Sequence, residues 1–108
     1  MGTAKARELL YSAERVDAET CERLGIVNRV VPDEALRDEA LAWARRLAAG
    51  PTVAYRHMKV NLDRALRSDL PACLAGEAEG TVRSARTEDH REAVAAFVEK
   101  RPPAFKGR

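Results

Sequence analysis

The sequence predicts a mainly α-helical protein that contains one short β-strand. Apolar side chains recur at spacings of three and four residues along most of the 108 residues, which is the pattern of helices with one buried side. Asp, Thr, Gly and Pro residues that begin or end helices separate these segments. A run of mostly β-branched residues, IVNRVV at 26–31, interrupts the helical pattern. A chain of this length suffices for one domain.

Two short helices are predicted at the N-terminal end. Residues 4–13 place apolar side chains on one side of a helix, for which Thr3 is the predicted N-cap. Asp17 is the predicted N-cap of a second helix over 18–24. Gly25 follows at the position where many helices end in the left-handed conformation. We therefore expect the second helix to end sharply at this glycine.

The predicted strand covers residues 26–31, directly after this glycine. Pro32 cannot donate a hydrogen bond to a sheet and favours an extended conformation of Val31, so the strand should end there. Asp33 then stands where it can cap the next helix. A single strand without neighbours exposes unpaired backbone groups. The residues alone do not explain why a mostly helical chain contains one isolated strand.

The remaining sequence predicts four helical segments, at 34–49, 52–67, 70–85 and from Thr87 to about Arg101. Thr87 is the predicted N-cap of the last segment. The first two carry apolar stripes that predict a buried side, formed by Leu36, Ala40, Trp43, Ala44 and Leu47 and by Ala54, Met58, Leu62 and Ala65. Gly76 and Gly80 lie inside the third segment, where each glycine costs about 1 kcal/mol relative to alanine. We expect close packing to compensate for this cost.

Composition excludes several classes of function. Lys and Arg number 19 and Asp and Glu 17, a net charge of +2 that gives no field to hold nucleic acid or an anionic membrane. No apolar run is long enough for a membrane span, and no leader or lipidation motif is recognised at the start. Cys21 and Cys73 lack the spacing of a zinc or redox site. We expect a soluble cytoplasmic protein with two reduced cysteines.

A catalytic or metal-binding set is not evident in the sequence. His57 and His90 belong to no metal motif and are expected to face solvent. Glu77 and Glu79 point to different sides of a helix, and the three acids at 88, 89 and 92 suit the positive end of a helix dipole. Serines and glycines form no nucleophile elbow or phosphate-binding loop. The sequence predicts no metal site.

Two stretches resemble one protein family. Residues 7–32, RELLYSAERVDAETCERLGIVNRVVP, and residues 93–108, AVAAFVEKRPPAFKGR, are similar to segments of the enoyl-CoA hydratase/isomerase (crotonase) family. The similarity runs without gaps through the first stretch and covers essentially the whole chain. Ser12 and Ala13 stand where the family usually has Thr-Gly, and Cys21 stands where a smaller residue is usual. These departures concern the geometry of a turn.

The resemblance implies that the chain is the C-terminal helical part of a crotonase-like α/β fold. Residues 1–33 would end its spiral core and residues 34–108 would form the helical trimerisation region. The catalytic core, with its oxyanion hole and two glutamates, would precede the present sequence, and it would also supply partners for the strand at 26–31. No residue here matches the catalytic motifs, including Glu8, Glu14, Glu19 and Glu22. Whether this chain alone is an enzyme is therefore uncertain.

The same resemblance implies a function in acyl-CoA metabolism, such as that of fatty acids. The substrate would be a coenzyme A thioester that reacts through a stabilised enolate, no separate cofactor would be needed, and the full protein would be a homo-oligomer, a trimer or hexamer. Phe97 and Lys100 match family residues that contact coenzyme A bound to a neighbouring subunit, near the adenine and a phosphate. Their spacing of three residues predicts one helical face.

The residues also allow other interpretations. Phe97 would belong to the core with Val94 and Val98, and Lys100 would merely favour the end of a helix. A separate alternative is that the whole chain is a helical module that binds another protein and has no coenzyme A chemistry. The basic tail at 100–108 is weak support for nucleic-acid binding in a nearly neutral chain.

Overall fold

The computed structural model describes residues 1–108 and contains six helices and no β-strand. They are α1 (Thr3–Ser12), α2 (Ala18–Arg23), α3 (Asp33–Ala48), α4 (Thr52–Ala65), α5 (Leu70–Ala85) and α6 (Glu88–Glu99). The mainly helical class predicted from the sequence is confirmed. The chain forms two compact units, Met1–Ala40 and Leu41–Arg108, each of which is described separately. No helix combines the length and the apolar character needed to cross a membrane.

Helix α1 begins and ends differently from the prediction. Thr3 is its first residue, and Gly2 occupies the N-cap position without a side-chain hydrogen bond, so the predicted Thr3 cap is wrong. The helix ends at Ala13, whose φ of 52° is left-handed and whose N–H donates to the carbonyl oxygen of Leu9 at 3.2 Å. This is the position where the resembling family usually has glycine. The left-handed conformation explains that preference, because it strains a residue with a Cβ.

Helix α2 follows its local sequence signals closely. Asp17 caps it, because Oδ1 accepts a hydrogen bond from the N–H of Thr20 at 2.7 Å. Hydrogen bonds from Thr20 hold the pKa of the Asp17 carboxyl below its usual value. Gly25 follows the helix with a left-handed φ of 69°, as predicted. Both signals act within a few residues, so they do not depend on the rest of the fold.

The predicted strand at 26–31 is wrong for this chain. The N–H groups of Ile26 and Val27 donate to the carbonyl oxygen of Cys21, at 2.9 and 3.4 Å, and therefore extend the end of α2. The N–H of Val30 donates to Oε1 of Glu22 at 3.2 Å. No other strand exists among residues 1–108 to form a ladder. Backbone groups without a strand partner are satisfied locally instead.

Helix α4 packs on α5 in the second unit, and two glycines allow their close approach. A Cβ built on Gly80 would lie 3.2 Å from the Cβ of His57, and a Cβ on Gly76 would overlap the guanidinium of Arg64. Both glycines are buried. The close packing predicted to compensate for glycine in a helix interior is therefore confirmed.

The predicted apolar stripes are largely exposed in this chain. Exposed fractions are 59% for Leu36, 57% for Met58 and 70% for Leu62, while Ala96 is the one buried apolar side chain. The accessible surface of residues 1–108 is 8936 Å². The family resemblance implies that these stripes pack on a core and on neighbouring subunits that are absent here, and their exposure in this chain agrees with that expectation.

This exposure predicts self-association or marginal stability of the isolated chain, since burial of apolar surface is the main stabilising contribution to folding. Sedimentation at high micromolar concentration should show species larger than the monomer. The double change Leu62→Ser and Phe97→Ser removes two of the most exposed apolar side chains and should reduce the association. A strictly monomeric chain with a sharp melting transition would contradict this prediction.

Candidate functional site

The C-terminal end of α6 carries the predicted site residue Phe97. Its side chain is 85% exposed, and Val94 and Val98, at helical spacing from it, are 51% and 73% exposed. The three side chains form an apolar face on α6 that we call the α6 apolar face. The interpretation of Phe97 as a core residue of this chain is therefore wrong. An exposed aromatic ring is available to stack on a ligand or to pack on another surface.

Lys100 lies just beyond the helix and not within it. It is the C-cap residue, with a left-handed φ of 54°, and its N–H donates to the carbonyl oxygens of Ala96 and Phe97. The N–H of Arg101 also donates to the oxygen of Ala96 at 3.0 Å. Because Lys100 has left the helical conformation, its spacing from Phe97 no longer fixes a shared face. The structure places the exposed ammonium group at the turn that follows α6.

A salt-bridge cluster holds that turn. The guanidinium of Arg101 donates to Glu92 through Nη1 at 2.5 Å and Nη2 at 3.1 Å, and through Nε to Glu99 at 2.5 Å. Glu92 also accepts a hydrogen bond from the N–H of Ala104 at 2.9 Å. Bidentate contacts of this kind fix the orientation of an arginine side chain. Arg101, which directly follows Lys100, is thus held against α6 by these contacts.

Asp89 holds the end of the tail. This buried carboxylate is 3% exposed and accepts hydrogen bonds from the N–H groups of Lys106 at 2.6 Å and Gly107 at 2.9 Å. Its own N–H donates to the carbonyl oxygen of Arg108 at 3.0 Å. Gly107 has a left-handed φ of 75°, which only glycine adopts without strain. Asp89, Glu92 and Arg101, with the tail residues 101–108, form what we call the tail clamp.

The sequence interpretation missed the tail clamp. The dipole of α6 accounts for the position of Asp89 and Glu92 in the first turns, but not for their partners. The partners of Asp89 lie 17 and 18 residues further along the chain. Asp89 binds backbone N–H groups, which every residue except proline carries. A single sequence therefore does not indicate that Lys106 and Gly107 are its partners.

The Glu92 carboxyl should titrate far below its normal range. Hydrogen bonds from Arg101 and from the Ala104 N–H lower its pKa from 4.5 to about 2. A lowered pKa in the folded state adds stability above pH 4.5 that is lost as the pH falls through about 2. Carbon NMR of this carboxyl should show a midpoint near 2. In Arg101→Gln the midpoint should move up toward 4.5, and a wild-type midpoint already near 4.5 would contradict the clamp.

A cavity of about 360 Å³ lies between α6 and the tail, but its lining does not suit a phosphate. Three acids line it, at 88, 89 and 92. Arg91 and Lys106 are its basic residues, and neither Phe97 nor Lys100 lines it. An anionic ligand that contacts Lys100 would therefore lie outside this cavity, because the carboxylates repel it.

The other residues considered as catalytic or metal-binding candidates do not form a site. His90 is exposed as predicted, whereas His57 is half-buried between α4 and α5, which corrects its expected position. Glu77 and Glu79 are exposed, and Glu8 pairs with Lys5 at 2.6 Å. Both cysteines are free thiols. No group of three or more His, Cys, Asp or Glu side chains is arranged to hold a metal ion.

Comparison with known proteins identifies the family. The family model described as enoyl-CoA hydratase/isomerase matches residues 1–108. The chain belongs to the enoyl-CoA hydratase/isomerase family. A relative named "Probable enoyl-CoA hydratase" from Rhodobacter capsulatus is 39% identical over 108 residues, which are 100% of this chain and 42% of the relative. The short-chain-enoyl-CoA hydratase of Clostridium acetobutylicum is 32% identical over 109 residues, with coverage of 100% and 42%.

Solved structures of the family share the fold. Enoyl-CoA hydratase subunit I from Geobacillus kaustophilus matches with a TM-score of 0.92 and 38% identity, over 99% of this chain and 42% of that one. The enoyl-CoA hydratase of Bacillus anthracis matches with a TM-score of 0.89 and 32% identity, over 99% and 42% of the two chains. This member of the family thus spans about two fifths of the length of the relatives it matches.

Proposed function

We propose that this chain is the C-terminal portion of an enoyl-CoA hydratase/isomerase that acts on acyl-CoA thioesters through a stabilised enolate. It would serve fatty-acid or related acyl-CoA metabolism in the cytoplasm, as a lyase or isomerase. The observation that carries the proposal is the family match over all of residues 1–108, together with an α6 apolar face that this chain leaves uncovered. The role of the chain in such an enzyme is to bind and to assemble, in a trimer or hexamer.

The chain contributes coenzyme A binding in this proposal. Phe97 offers an exposed ring for the adenine, and Lys100 offers a charge for a phosphate. The tail clamp ties Arg101 to α6 and so holds the turn that presents Lys100. A preorganised turn reduces the conformational entropy that binding would otherwise lose. The clamp residues therefore flank Lys100 in sequence, with Asp89 and Glu92 in α6 and residues 101–108 after Lys100.

The enolate chemistry is assigned to the remaining part of a full-length relative. Enolate stabilisation requires paired N–H donors aimed at the thioester oxygen, and hydration requires carboxylates that handle water and a proton. Several acids in residues 1–108 instead form caps and salt bridges, as Asp17, Glu8 and Glu92 show. The chain itself therefore binds without carrying out the reaction.

The test is hydration of crotonyl-CoA, followed by the loss of the conjugated thioester absorbance. The isolated chain should be inert, and the chain joined to a crotonase N-terminal part should be active. Hydration by the pure isolated chain well above background would contradict the assignment of catalysis. An inactive joined protein that folds and fails to bind acyl-CoA would contradict the proposed function as a whole.

The alternative of a helical protein-interaction module is not favoured. It would explain the exposed apolar side chains, but it gives no reason for a family match that spans the whole chain. The genomic sequence upstream of Met1 separates the two interpretations. An in-frame segment that encodes a glycine-rich oxyanion hole supports the enzyme, and its absence supports the module.

A further inference from the structure

A second cavity, of about 300 Å³, lies between α4 and α5 and has a basic lining. Its charged residues are Arg56 and Arg64 from α4 and Glu79 and Arg83 from α5, and His57 also lines it. The coenzyme A contacts proposed above lie on α6 and its following turn, and none of those residues lines this cavity. We call it the α4–α5 cavity.

The charges of the α4–α5 cavity do not balance within the chain. Arg83 forms an ion pair with Glu79, with 2.6 Å between Nη2 and Oε1. Glu79 is the one acidic residue in the lining, so no carboxylate there remains for Arg56 or Arg64. Neither of those guanidinium groups forms a salt bridge. The lining thus presents two unpaired positive charges on one side of a helix pair, a field that attracts anions.

His57 adds a buried polar atom that has no partner. Its Nε2 is fully removed from solvent and makes no hydrogen bond. Buried polar atoms without a hydrogen-bond partner are uncommon in folded proteins. An imidazole N–H can donate to an anionic oxygen. Because Nε2 is removed from solvent, the two arginines, and not this atom, provide the donors that an anion in the cavity can reach.

Gly76 makes room for one of these arginines. A Cβ at this position would overlap the guanidinium of Arg64, so the side chain lies against the glycine backbone of α5. Arg64 is half-buried, which reduces its screening by solvent. The glycine thus has a function in addition to helix packing, since it places a partly desolvated guanidinium in the cavity wall.

We propose that the α4–α5 cavity binds a phosphate oxyanion, held by Arg56 and Arg64. Guanidinium groups match the geometry of phosphate oxygens with paired donors. The bound group is either inorganic phosphate or the phosphate of a small organic monoester. An anion that binds the folded chain stabilises it, and here it also offsets the repulsion between the two unpaired arginines of α4.

The experiment is a titration of the full chain with inorganic phosphate, followed by NMR of the His57 ring and the backbone, at constant ionic strength set with sodium chloride. Saturable shifts should centre on residues 56–64 and 76–83. Arg64→Gln should weaken binding at least fivefold, whereas Glu79→Gln, which removes the competing acid, should strengthen it several-fold. Arg67→Gln is the matched control, because Arg67 is exposed and lies outside the lining, and it should bind as wild type does.

A further variant keeps the positive charge of Arg64 but changes the position of its guanidinium group. Gly76→Ala retains Arg64 but displaces its guanidinium from the cavity wall, and should weaken binding about as much as Arg64→Gln does. A parallel titration with adenosine monophosphate distinguishes the source of the phosphate, because tighter binding with the same dependence on Arg64 indicates an organic ester. Equal effects of chloride and phosphate, or equal losses in Arg64→Gln and Arg67→Gln, would overturn the proposal.

Discussion

Asp89→Ala should release the C-terminal tail from α6. The change removes a buried carboxylate that accepts two backbone hydrogen bonds, from Lys106 at 2.6 Å and from Gly107 at 2.9 Å. Hydrogen bonds to a charged acceptor contribute about 1.5–3 kcal/mol, and the tail recovers part of this loss by exposing its N–H groups to water. We expect a net loss of about 2–3 kcal/mol in the local free energy of tail opening.

Amide hydrogen exchange measures this effect directly. A loss of that size corresponds to exchange of the Lys106 and Gly107 amides that is about 30- to 150-fold faster. The amide of Ala104, which donates to Glu92, reports whether both halves of the clamp open together. The matched control is Glu88→Ala, because Glu88 is exposed and has a single salt bridge, at 3.3 Å to Arg108. It should change tail exchange by less than about threefold.

Asp89→Asn separates charge from hydrogen bonding. The amide keeps one carbonyl acceptor of the same size and loses the negative charge, so tail protection should fall between the values for wild type and Asp89→Ala. Wild-type exchange rates for Lys106 and Gly107 in Asp89→Ala would show that the carboxylate does not hold the tail. Equal exchange in Asp89→Ala and Glu88→Ala would also show that the tail is held by other contacts.

Local signals predicted the helices well. Asp17 and Thr87 are predicted N-caps, and each accepts a hydrogen bond from an N–H three residues later, at 2.7 and 3.0 Å. Gly25 adopts the left-handed conformation expected at the end of α2. These features depend on chemistry within one turn of the chain, and the sequence contains all of that chemistry. The family resemblance added the topology that such signals cannot provide.

Long-range partners account for the failures. The run at 26–31 has strand propensity, but no second strand exists among the described residues, so its backbone bonds to α2 instead. Stripes on α3 and α4 have the periodicity of a buried side, and Leu36 and Leu62 are 59% and 70% exposed, as expected where the covering partner is absent. Propensity and periodicity indicate what a segment can bury or pair, while the partner determines whether it does. His57 shows the converse, since packing of α4 on α5 buries a side chain expected in solvent.

Lys100→Ala, in a protein completed by a crotonase N-terminal part, should weaken acyl-CoA binding about tenfold and leave turnover nearly unchanged. The proposed contact is to a phosphate far from the reacting thioester, so it contributes equally to the ground state and the transition state. The loss should therefore appear in KM and not in kcat. The exposed position of Lys100 places the effect at the low end for a charge-assisted contact, because solvent screens the ammonium group.

Lys100→Asn controls for an effect of the alanine substitution on the backbone conformation. Lys100 has a left-handed φ of 54°, and asparagine tolerates that conformation better than alanine, so a loss shared by both variants comes from the charge. Lys59→Ala removes an exposed lysine of α4 and should leave KM unchanged. Rising salt should shrink the difference between wild type and Lys100→Ala. A lowered kcat at constant KM, or an equal loss with a pantetheine thioester that lacks the nucleotide, would place Lys100 outside the coenzyme A site and leave it only the role of ending α6.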